Sequence, residues 1–321
     1  MNFQKKIVIG LRDSELSKAQ TREFMLLAEK NIEEINENNF ELKFVKTSGD
    51  IHHNKRLDKI GGKGLFIKEI EERILNGEVD IGIHSMKDIP AQNHQELEIS
   101  CFMKRLDNSD VLISNSGKSF ADLDSGSIIG TSSIRRRSQI LHFRKDLNIK
   151  LLRGNVDTRI RKLRNKEFDA IILSKAGIER LKLQHIITET LDQEKFLPAG
   201  CQGAVGIQAS KKNSKFKKIF SLINDINTEI ECSAEREVLR TIQANCNSPV
   251  SIYAKLYDDQ LKINFELFDH DGTTLFKKNV SGHKNNFKII SQKLGEEVIN
   301  EVGKNKIEKL DKLKNDFNYT P

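Results

Sequence analysis

One pattern, a strand followed by a turn and a helix, occurs twice in residues 129–164, IGTSSIRRRSQILHFRKDLNIKLLRGNVDTRIRKLR. This repeated pattern predicts the fold of the chain. In each occurrence a short apolar run predicts a strand (127–130 and 149–152), a polar turn follows, and a longer segment predicts a helix (134–143 and 156–165). The first turn is Thr131-Ser132-Ser133 and the second is Arg153-Gly154-Asn155. Strands and helices that alternate in this way predict a parallel sheet and an α/β fold.

Eight of the sixteen arginines of the chain lie in this stretch, and none follows Arg240, where lysine supplies the positive charge. A guanidinium group binds carboxylates and phosphates through two parallel hydrogen bonds and stays charged in a dry cleft. Half of the eight are predicted to lie on solvated helix faces: Arg137, Arg144, Arg161 and Arg164. The other half stand near a strand end or a helix start, which favours a polyanion-binding site: Arg135, Arg136, Arg153 and Arg159.

Composition narrows the class of protein. The 321 residues, 37% hydrophobic and 31% charged, predict two or three globular domains. A net charge of +7 suits nucleic acid, a membrane surface or an acidic small molecule. Because tryptophan is absent and aromatic residues make up 6%, stacking on bases is disfavoured and the small acidic ligand is favoured. No run approaches the ~18 apolar residues of a membrane span, and residues 1–10 lack a signal-peptide pattern, so we expect a cytoplasmic protein without membrane or nucleic-acid partners. We expect a monomer, although no motif determines the oligomeric state.

The cysteines and histidines show no metal-ligand spacing. The four cysteines form no CxxC pair, and the eight histidines form no HExxH motif, so neither a disulfide nor a metal site is expected. Cys101 and Cys232 are interpreted as packing residues, as most cysteines are. Cys246 differs because it follows a predicted helix (228–243) in a loop of small polar residues, which makes it a candidate for covalent chemistry.

Two further strand ends carry candidate site residues. A predicted strand at 6–10 leads to Arg12 in a tight turn and to Ser14, which can cap the next helix. Another, at 79–83, leads into residues 84–90 (HSMKDIP) at the carboxyl edge of the sheet, where ligands bind in open α/β sheets. Asp88 is therefore a candidate catalytic carboxylate, with simple turn chemistry before Pro90 as the alternative.

A glycine-rich segment precedes the second predicted helix. Residues 61–64 (GGKG) do not satisfy the phosphate-binding pattern GxxxxGK[ST], so a lid or hinge is predicted there. Phe66 follows and fits core packing and a binding site equally well.

Taken together, these segments resemble the porphobilinogen deaminase (hydroxymethylbilane synthase) family along essentially the whole chain. The matching motifs, in order, are Arg12-x-Ser14-x-Leu16, Lys59-Ile-Gly-Gly-Lys-Gly-Leu-Phe66, His84-Ser-Met-Lys-Asp-Ile-Pro90, Gly130-Thr-Ser-Ser-Ile-Arg-Arg136, Leu152-Arg-Gly-Asn-Val156 with Thr158-Arg159, and Gln202-Gly-Ala204.

The resemblance implies an α/β fold of two lobes similar to type II periplasmic binding proteins, followed by a small C-terminal α+β domain. The first lobe would comprise residues 1–103 and 199–221, and the second, arginine-rich lobe residues 104–198. The third domain would comprise residues 222–321 and carry the cofactor cysteine.

The resemblance also implies a transferase that condenses four porphobilinogens head to tail, releases ammonia, and yields linear hydroxymethylbilane for tetrapyrrole (haem-type) biosynthesis. Its cofactor would be dipyrromethane, bound as a thioether to Cys246. Asp88 would be catalytic, stabilising the cationic carbon left by ammonia. The implied cofactor-binding residues are Lys87, Ser85, Thr131, Ser133, Arg135 and Arg136. The implied substrate-binding residues are Arg12, Ser14, Phe66, Arg153, Arg159, Arg180 and Gln202.

This chain departs from the family pattern in two places. Ala244-Asn245 precedes Cys246 where family members often have glycines, and Cys201 interrupts the usual Gly-Gln-Gly run before Gln202. The alternative function from another class is a binding protein that captures an acidic molecule without chemistry. Cys246 and its separate domain argue against that alternative, since a pure binder needs neither.

Overall fold

A computed structural model of the protein describes residues 6–46, 67–213, 216–245 and 248–312. By backbone contacts the chain divides into two compact units, called unit 1 (1–106 and 203–229) and unit 2 (107–202 and 230–321). Among the described residues, no helix combines the length and apolar character needed to cross a bilayer. Phe66, the glycine-rich segment 61–64 and Cys246 lie outside the described residues.

The described strands and helices alternate through most of the chain. The strands are β1 (Ile7–Arg12), β2 (Phe40–Val45), β3 (Ile81–Ser85), β4 (Leu97–Met103), β5 (Asp110–Ser114), β6 (Ile128–Gly130), β7 (Asn148–Lys150), β8 (Ala170–Ser174), β9 (Glu189–Thr190), β10 (Val205–Ser210), β11 (Val250–Tyr257), β12 (Gln260–Phe268) and β13 (Thr274–His283). The helices are α1 (Glu15–Asn31), α2 (Lys68–Leu75), α3 (Ile134–Phe143), α4 (Val156–Arg164), α5 (Lys175–Arg180), α6 (Lys217–Ile223), α7 (Ile226–Thr241), α8 (Phe287–Val302) and α9 (Lys304–Lys312).

Unit 1 is built on a five-stranded sheet of order β2-β1-β3-β10-β4. β1 pairs in parallel with β2 and β3, and β10 runs antiparallel to β3 and β4. Helices α1 and α6 pack with the sheet in one apolar cluster that includes Phe24, Ile83 and Phe220, and α2 contributes Ile70 and Ile74 to a second cluster. The carboxyl ends of β1 and β3 therefore lie side by side at one edge of the sheet.

Unit 2 contains a second five-stranded sheet with the corresponding order, β7-β6-β8-β5-β9. β6 pairs in parallel with β7 and β8, and β5 is the antiparallel strand. The rest of unit 2 is an antiparallel sheet, β11-β12-β13, whose apolar face packs with α7, α8 and α9. These two five-stranded sheets and the small C-terminal sheet confirm the predicted fold class.

The sequence predicted most elements within a few residues. The two strand–helix steps of residues 129–164 are present as β6–α3 and β7–α4, with Ser133 and Asn155 as helix caps. The two-residue strand β9 was not predicted. The contact-based division yields two units and groups the C-terminal sheet with the second five-stranded sheet. The three-domain division and its boundaries stay a prediction.

Candidate active site

A pocket in unit 1 lies at the carboxyl ends of β1 and β3. Its lining includes Arg12, Ser14, Gln20, His84, Ser85 and Asp88. The turn after β1 is held closed because the Ser17 hydroxyl accepts a hydrogen bond from the Arg12 backbone N–H at 3.2 Å, and the Ser14 hydroxyl accepts one from the Ser17 N–H at 3.3 Å. Arg12 and Ser14, both predicted as site residues, thus stand at the start of α1, where backbone N–H groups favour an anion.

The segment after β3 supplies the other wall. Met86–Asp88 forms one short 3-10 turn, and Met86 is buried beneath it. This anchor leaves Lys87 and Asp88 half-buried, with Asp88 on the pocket. The Ser85 hydroxyl accepts a hydrogen bond from the Gln20 side-chain amide at 2.8 Å, which fixes its position in the lining. The structure therefore brings Arg12, Ser14, Ser85 and Asp88 to one pocket.

His84 is a pocket residue to which the sequence analysis gave no role. Its side chain is 4% exposed, and burial, helped by the charge of Arg12, lowers the pKa of the imidazole from 6.5 to about 4. Among the described residues, its Nε2 atom has no hydrogen-bond partner. The ring is therefore neutral at physiological pH. Its place at the end of an apolar strand was the signal that could have identified it.

In unit 2, Arg135 and Arg136 share one buried carboxylate, Asp110. Asp110 is 0% exposed, and each of its oxygens accepts a hydrogen bond at 2.7 Å from an Nη2 atom of one arginine. Burial alone would raise the pKa of Asp110, but the two guanidinium groups outweigh it and hold the pKa below its ordinary value. Two positive charges against one negative charge leave the group at net +1 in a buried setting, which favours a further anion.

The remaining bonds of the two guanidinium groups set their orientation. Arg135 Nη1 donates to Gln139 Oε1 and to the Leu197 carbonyl, both at 2.8 Å, and Arg136 Nη1 donates to the Ile172 carbonyl at 3.1 Å. Among the described residues, neither Nε atom has a hydrogen-bond partner. Each arginine therefore retains a buried, charged donor that no described residue satisfies.

Gln202 belongs to the same group. Its side chain is 1% exposed, and its amide donates to Asp110 Oδ1 at 2.8 Å and to the Asn108 carbonyl at 2.7 Å. The substrate-binding role of Gln202 stays a prediction, and the structure shows that its amide positions Asp110.

The other predicted residues of unit 2 lie in the turns after β6 and β7 or on helices, with Arg159 in the first turns of α4 and Arg180 at the end of α5. Ser133 caps α3, because its hydroxyl accepts from the Arg136 N–H at 3.4 Å. The Thr131 hydroxyl accepts from the Ser133 N–H at 3.1 Å and so closes the turn before the helix. Arg153 follows β7, and Arg159 Nε donates to the Gly154 carbonyl at 2.8 Å. Arg153, Arg159 and Arg180 are half-buried.

Two features of unit 2 were missed or misread. Asp110 was not singled out, although a carboxylate at the start of the apolar strand DVLIS must find charged partners if it is buried. Arg144 was predicted to be solvated, which was wrong: its guanidinium donates to the carbonyls of Phe120, Ala121 and Leu123 and to Asp146. It holds the loop before β6 in place. Arg161 and Arg164 are exposed.

Fold and site together define an α/β protein with cationic groups at strand ends that suit an acidic small molecule. Comparison with known proteins identifies the family within this class. The chain matches the family model described as porphobilinogen deaminase, dipyromethane cofactor binding domain, over residues 7–218, and the porphobilinogen deaminase C-terminal domain over residues 229–300. The chain belongs to the porphobilinogen deaminase family.

Individual relatives agree with the family models. The porphobilinogen deaminase of an Exiguobacterium species is 38% identical over 301 residues, which cover 94% of this chain and 97% of the relative. That of Bacillus thuringiensis strain Al Hakam is 40% identical over 284 residues, covering 87% and 90%. Among solved structures, an arginine-specific periplasmic binding protein of Salmonella typhimurium aligns with a TM-score of 0.38 and 14% identity over 74% of this chain and 93% of that chain.

Proposed function

We propose that this protein is a transferase that polymerises four porphobilinogens head to tail, releasing one ammonia per condensation, to give linear hydroxymethylbilane for tetrapyrrole biosynthesis. The observation that carries the proposal is family membership over both domain models together with the near-complete overlap with curated relatives. A binding protein without chemistry is not favoured by any feature of the described residues. We further propose a cytoplasmic monomer.

In unit 2 the cofactor would be held through its carboxylates. Dipyrromethane carries acetate and propionate side chains, and the group formed by Arg135, Arg136 and Asp110 keeps a net positive charge. Within the described part of the chain, the two Nε donors have no hydrogen-bond partner. Charge-assisted hydrogen bonds in a screened site contribute about 1.5–3 kcal/mol each, against ~0–1 kcal/mol for exposed pairs. The residues present therefore fit the group, with the hydroxyls of Thr131 and Ser133 as neutral donors. When bound, it supplies the free pyrrole carbon to which the first substrate is joined.

The other basic residues of unit 2 would hold the acid side chains of the growing chain. Arg153, Arg159 and Arg180 are half-buried beside turns, where partial desolvation strengthens their bonds to carboxylates. Gln202 acts in this scheme mainly by fixing Asp110.

In unit 1 the proposed chemistry centres on Asp88. Arg12 and Lys87 would bind substrate carboxylates, and Ser14 and Ser85 would donate or accept hydrogen bonds at the edge of the pocket. Loss of ammonia leaves positive charge on the substrate methylene carbon, and an ionised Asp88 that accepts the pyrrole N–H bonds would stabilise that charge and help to move protons. Phe66 is assigned to substrate binding from the resemblance alone.

Cys246 is proposed to bear the cofactor through a thioether. The described cysteines, Cys101, Cys201 and Cys232, are all buried, which makes them poor candidates for attachment. The loop position of Cys246 and the family resemblance support the assignment.

A stoichiometric assay tests the proposed activity. The purified protein is incubated with porphobilinogen, and substrate consumption, ammonia and hydroxymethylbilane are measured together. We expect four ammonia molecules for each hydroxymethylbilane. Binding of porphobilinogen without release of ammonia would identify a binding protein and contradict the proposal.

A further inference from the structure

A cluster of three metal-ligand side chains lies in unit 2 among residues with no part in the proposed reaction. The ligand atoms of Cys201, Cys232 and Glu235 all lie within 4.8 Å of one another. The side chains are 2%, 0% and 0% exposed. The sequence does not reveal the cluster, because its members come from two separate parts of the chain. Cys201 lies in the turn before β10, whereas Cys232 and Glu235 lie on α7.

The backbone holds the three groups in place. Cys232 and Glu235 are three residues apart on α7 and so share one face of the helix. The Glu235 carboxylate accepts hydrogen bonds from the backbone N–H groups of Cys201 and Ala254, the latter at 2.7 Å. The Cys201 thiol lies against the same helix, 3.6 Å from the Cys232 carbonyl oxygen to which it donates. The turn, the helix and β11 thus meet at the carboxylate.

Cys201 also occupies an unusual backbone position. Its φ is +60°, in the left-handed region that favours glycine over residues with a β-carbon. A glycine would fit this turn with less strain, so backbone preference does not explain a cysteine there. The residue does place a sulfur atom beside Cys232 and Glu235.

We propose that Cys201, Cys232 and Glu235 bind one soft divalent cation of the zinc and cadmium class. Two sulfur ligands and one carboxylate oxygen suit these ions, and the bonds of zinc to sulfur and oxygen measure about 2.0–2.3 Å. Ligand atoms around such an ion lie roughly 3.3–3.8 Å apart, so side-chain shifts of about 1 Å close the present arrangement. On binding, each thiol releases its proton to solvent, and two metal–sulfur bonds and one metal–oxygen bond form. No electron is transferred.

Burial of the three ligands would keep a substrate away from the ion, so its role would be structural, with a buried water molecule as the fourth ligand of a tetrahedral site. All three protein ligands are buried, and they join a turn to a helix and a strand within unit 2. A bound ion would therefore stabilise the folded state, because the unfolded chain does not hold the three ligands together.

Cadmium binding tests the proposal independently of enzyme activity. The full-length protein, reduced and stripped with a chelator, is titrated with Cd²⁺, and the ultraviolet band of cadmium–thiolate bonds, the native mass and the melting temperature are recorded. We expect one Cd²⁺ per chain and a higher melting temperature. Cys201→Gly and Cys232→Ala should each weaken binding at least tenfold, whereas Cys101→Ala, which removes a buried thiol of unit 1, should bind as the wild type does.

Cys201→Gly keeps the test decisive even if Cys232→Ala fails to fold, because glycine suits the backbone at this position. It should melt no lower than the metal-free wild type and yet lose the increase that Cd²⁺ produces. Absence of binding by the wild type, or unchanged binding by Cys201→Gly, would overturn the proposal. So would isolation of the pair as a disulfide, two hydrogens lighter, after purification without reductant.

Discussion

Replacing Asp110 by asparagine removes the only negative charge of the group that it forms with Arg135 and Arg136. In the native protein both Asp110 oxygens accept from guanidinium Nη2 atoms at 2.7 Å, and Gln202 adds a bond at 2.8 Å. Asparagine retains one acceptor oxygen but turns an amide donor toward a guanidinium group. Two cations, 4% and 6% exposed, then remain without a counter-charge.

The magnitude follows from this burial. Breaking a buried ion pair by removing one partner costs about 3–5 kcal/mol, because the charges left behind stay desolvated.

The contribution of Asp110 to stability also depends on pH, in a direction that its pKa determines. The pKa of Asp110 is lowered in the folded state, so its contribution to stability is present above the ordinary carboxyl pKa and is lost as the pH falls through the folded-state pKa. Asp110→Asn should therefore destabilise the protein at neutral pH and flatten its stability profile under acid.

Urea unfolding at pH 7 followed by circular dichroism measures the effect, with Asp107→Asn as the matched control. Asp107 lies three residues away and pairs with Lys175 at 2.7 Å, but its side chain is 35% exposed, so its loss should cost only ~0–1 kcal/mol. If Asp110→Asn lowers the free energy of unfolding no more than Asp107→Asn does, the group formed by Asp110, Arg135 and Arg136 does not stabilise unit 2, which contradicts the prediction.

Three more predictions concern single residues. The pKa of His84 is about 4 in the folded protein and 6.5 ordinarily, so the unfolded chain binds a proton first as the pH falls, and the free energy of unfolding should drop by about 2 kcal/mol between pH 7 and 5. Urea midpoints should fall across this range in the wild type and in the exposed control His94→Asn. An equal fall in His84→Asn would show that His84 is not the group responsible. Asp88→Asn should still bind porphobilinogen but release ammonia at least ~10²-fold more slowly in single turnover, and near-normal release would place the catalytic carboxylate elsewhere. Gly154→Ala should cost about 1–3 kcal/mol, because φ is +113° there and a β-carbon would lie 2.6 Å from Thr158 Cγ2; an unchanged melting temperature would contradict this.

Local signals in the sequence were sufficient for much of the fold. Apolar runs identified the strands, and hydroxyl or amide residues identified helix starts, as Ser14, Ser133 and Asn155 confirm. The order of the five strands in each sheet was not readable from such signals. It depends on where β5 and β10 insert as antiparallel strands, far in sequence from their neighbours.

Long-range partners explain what the sequence analysis missed at the site. It identified Arg135 and Arg136 from their residue type and position, but not Asp110, which reaches them only because β5 lies beside β8. The Cys201 cluster escaped for the same reason: its members are 30 or more residues apart or hidden within one helix. Sequence reasoning therefore finds the charges that bind a ligand more readily than the buried groups that orient them.

The intact mass of the purified protein under denaturing conditions tests the proposed function most directly. If the protein is a porphobilinogen-polymerising enzyme with a covalent primer, the wild type should exceed its sequence mass by one dipyrromethane unit, and Cys101→Ala should carry the same excess. Cys246→Ser should have the bare sequence mass and almost no turnover. An adduct that persists on Cys246→Ser, or full hydroxymethylbilane production by wild-type protein of unmodified mass, would contradict the proposed enzyme.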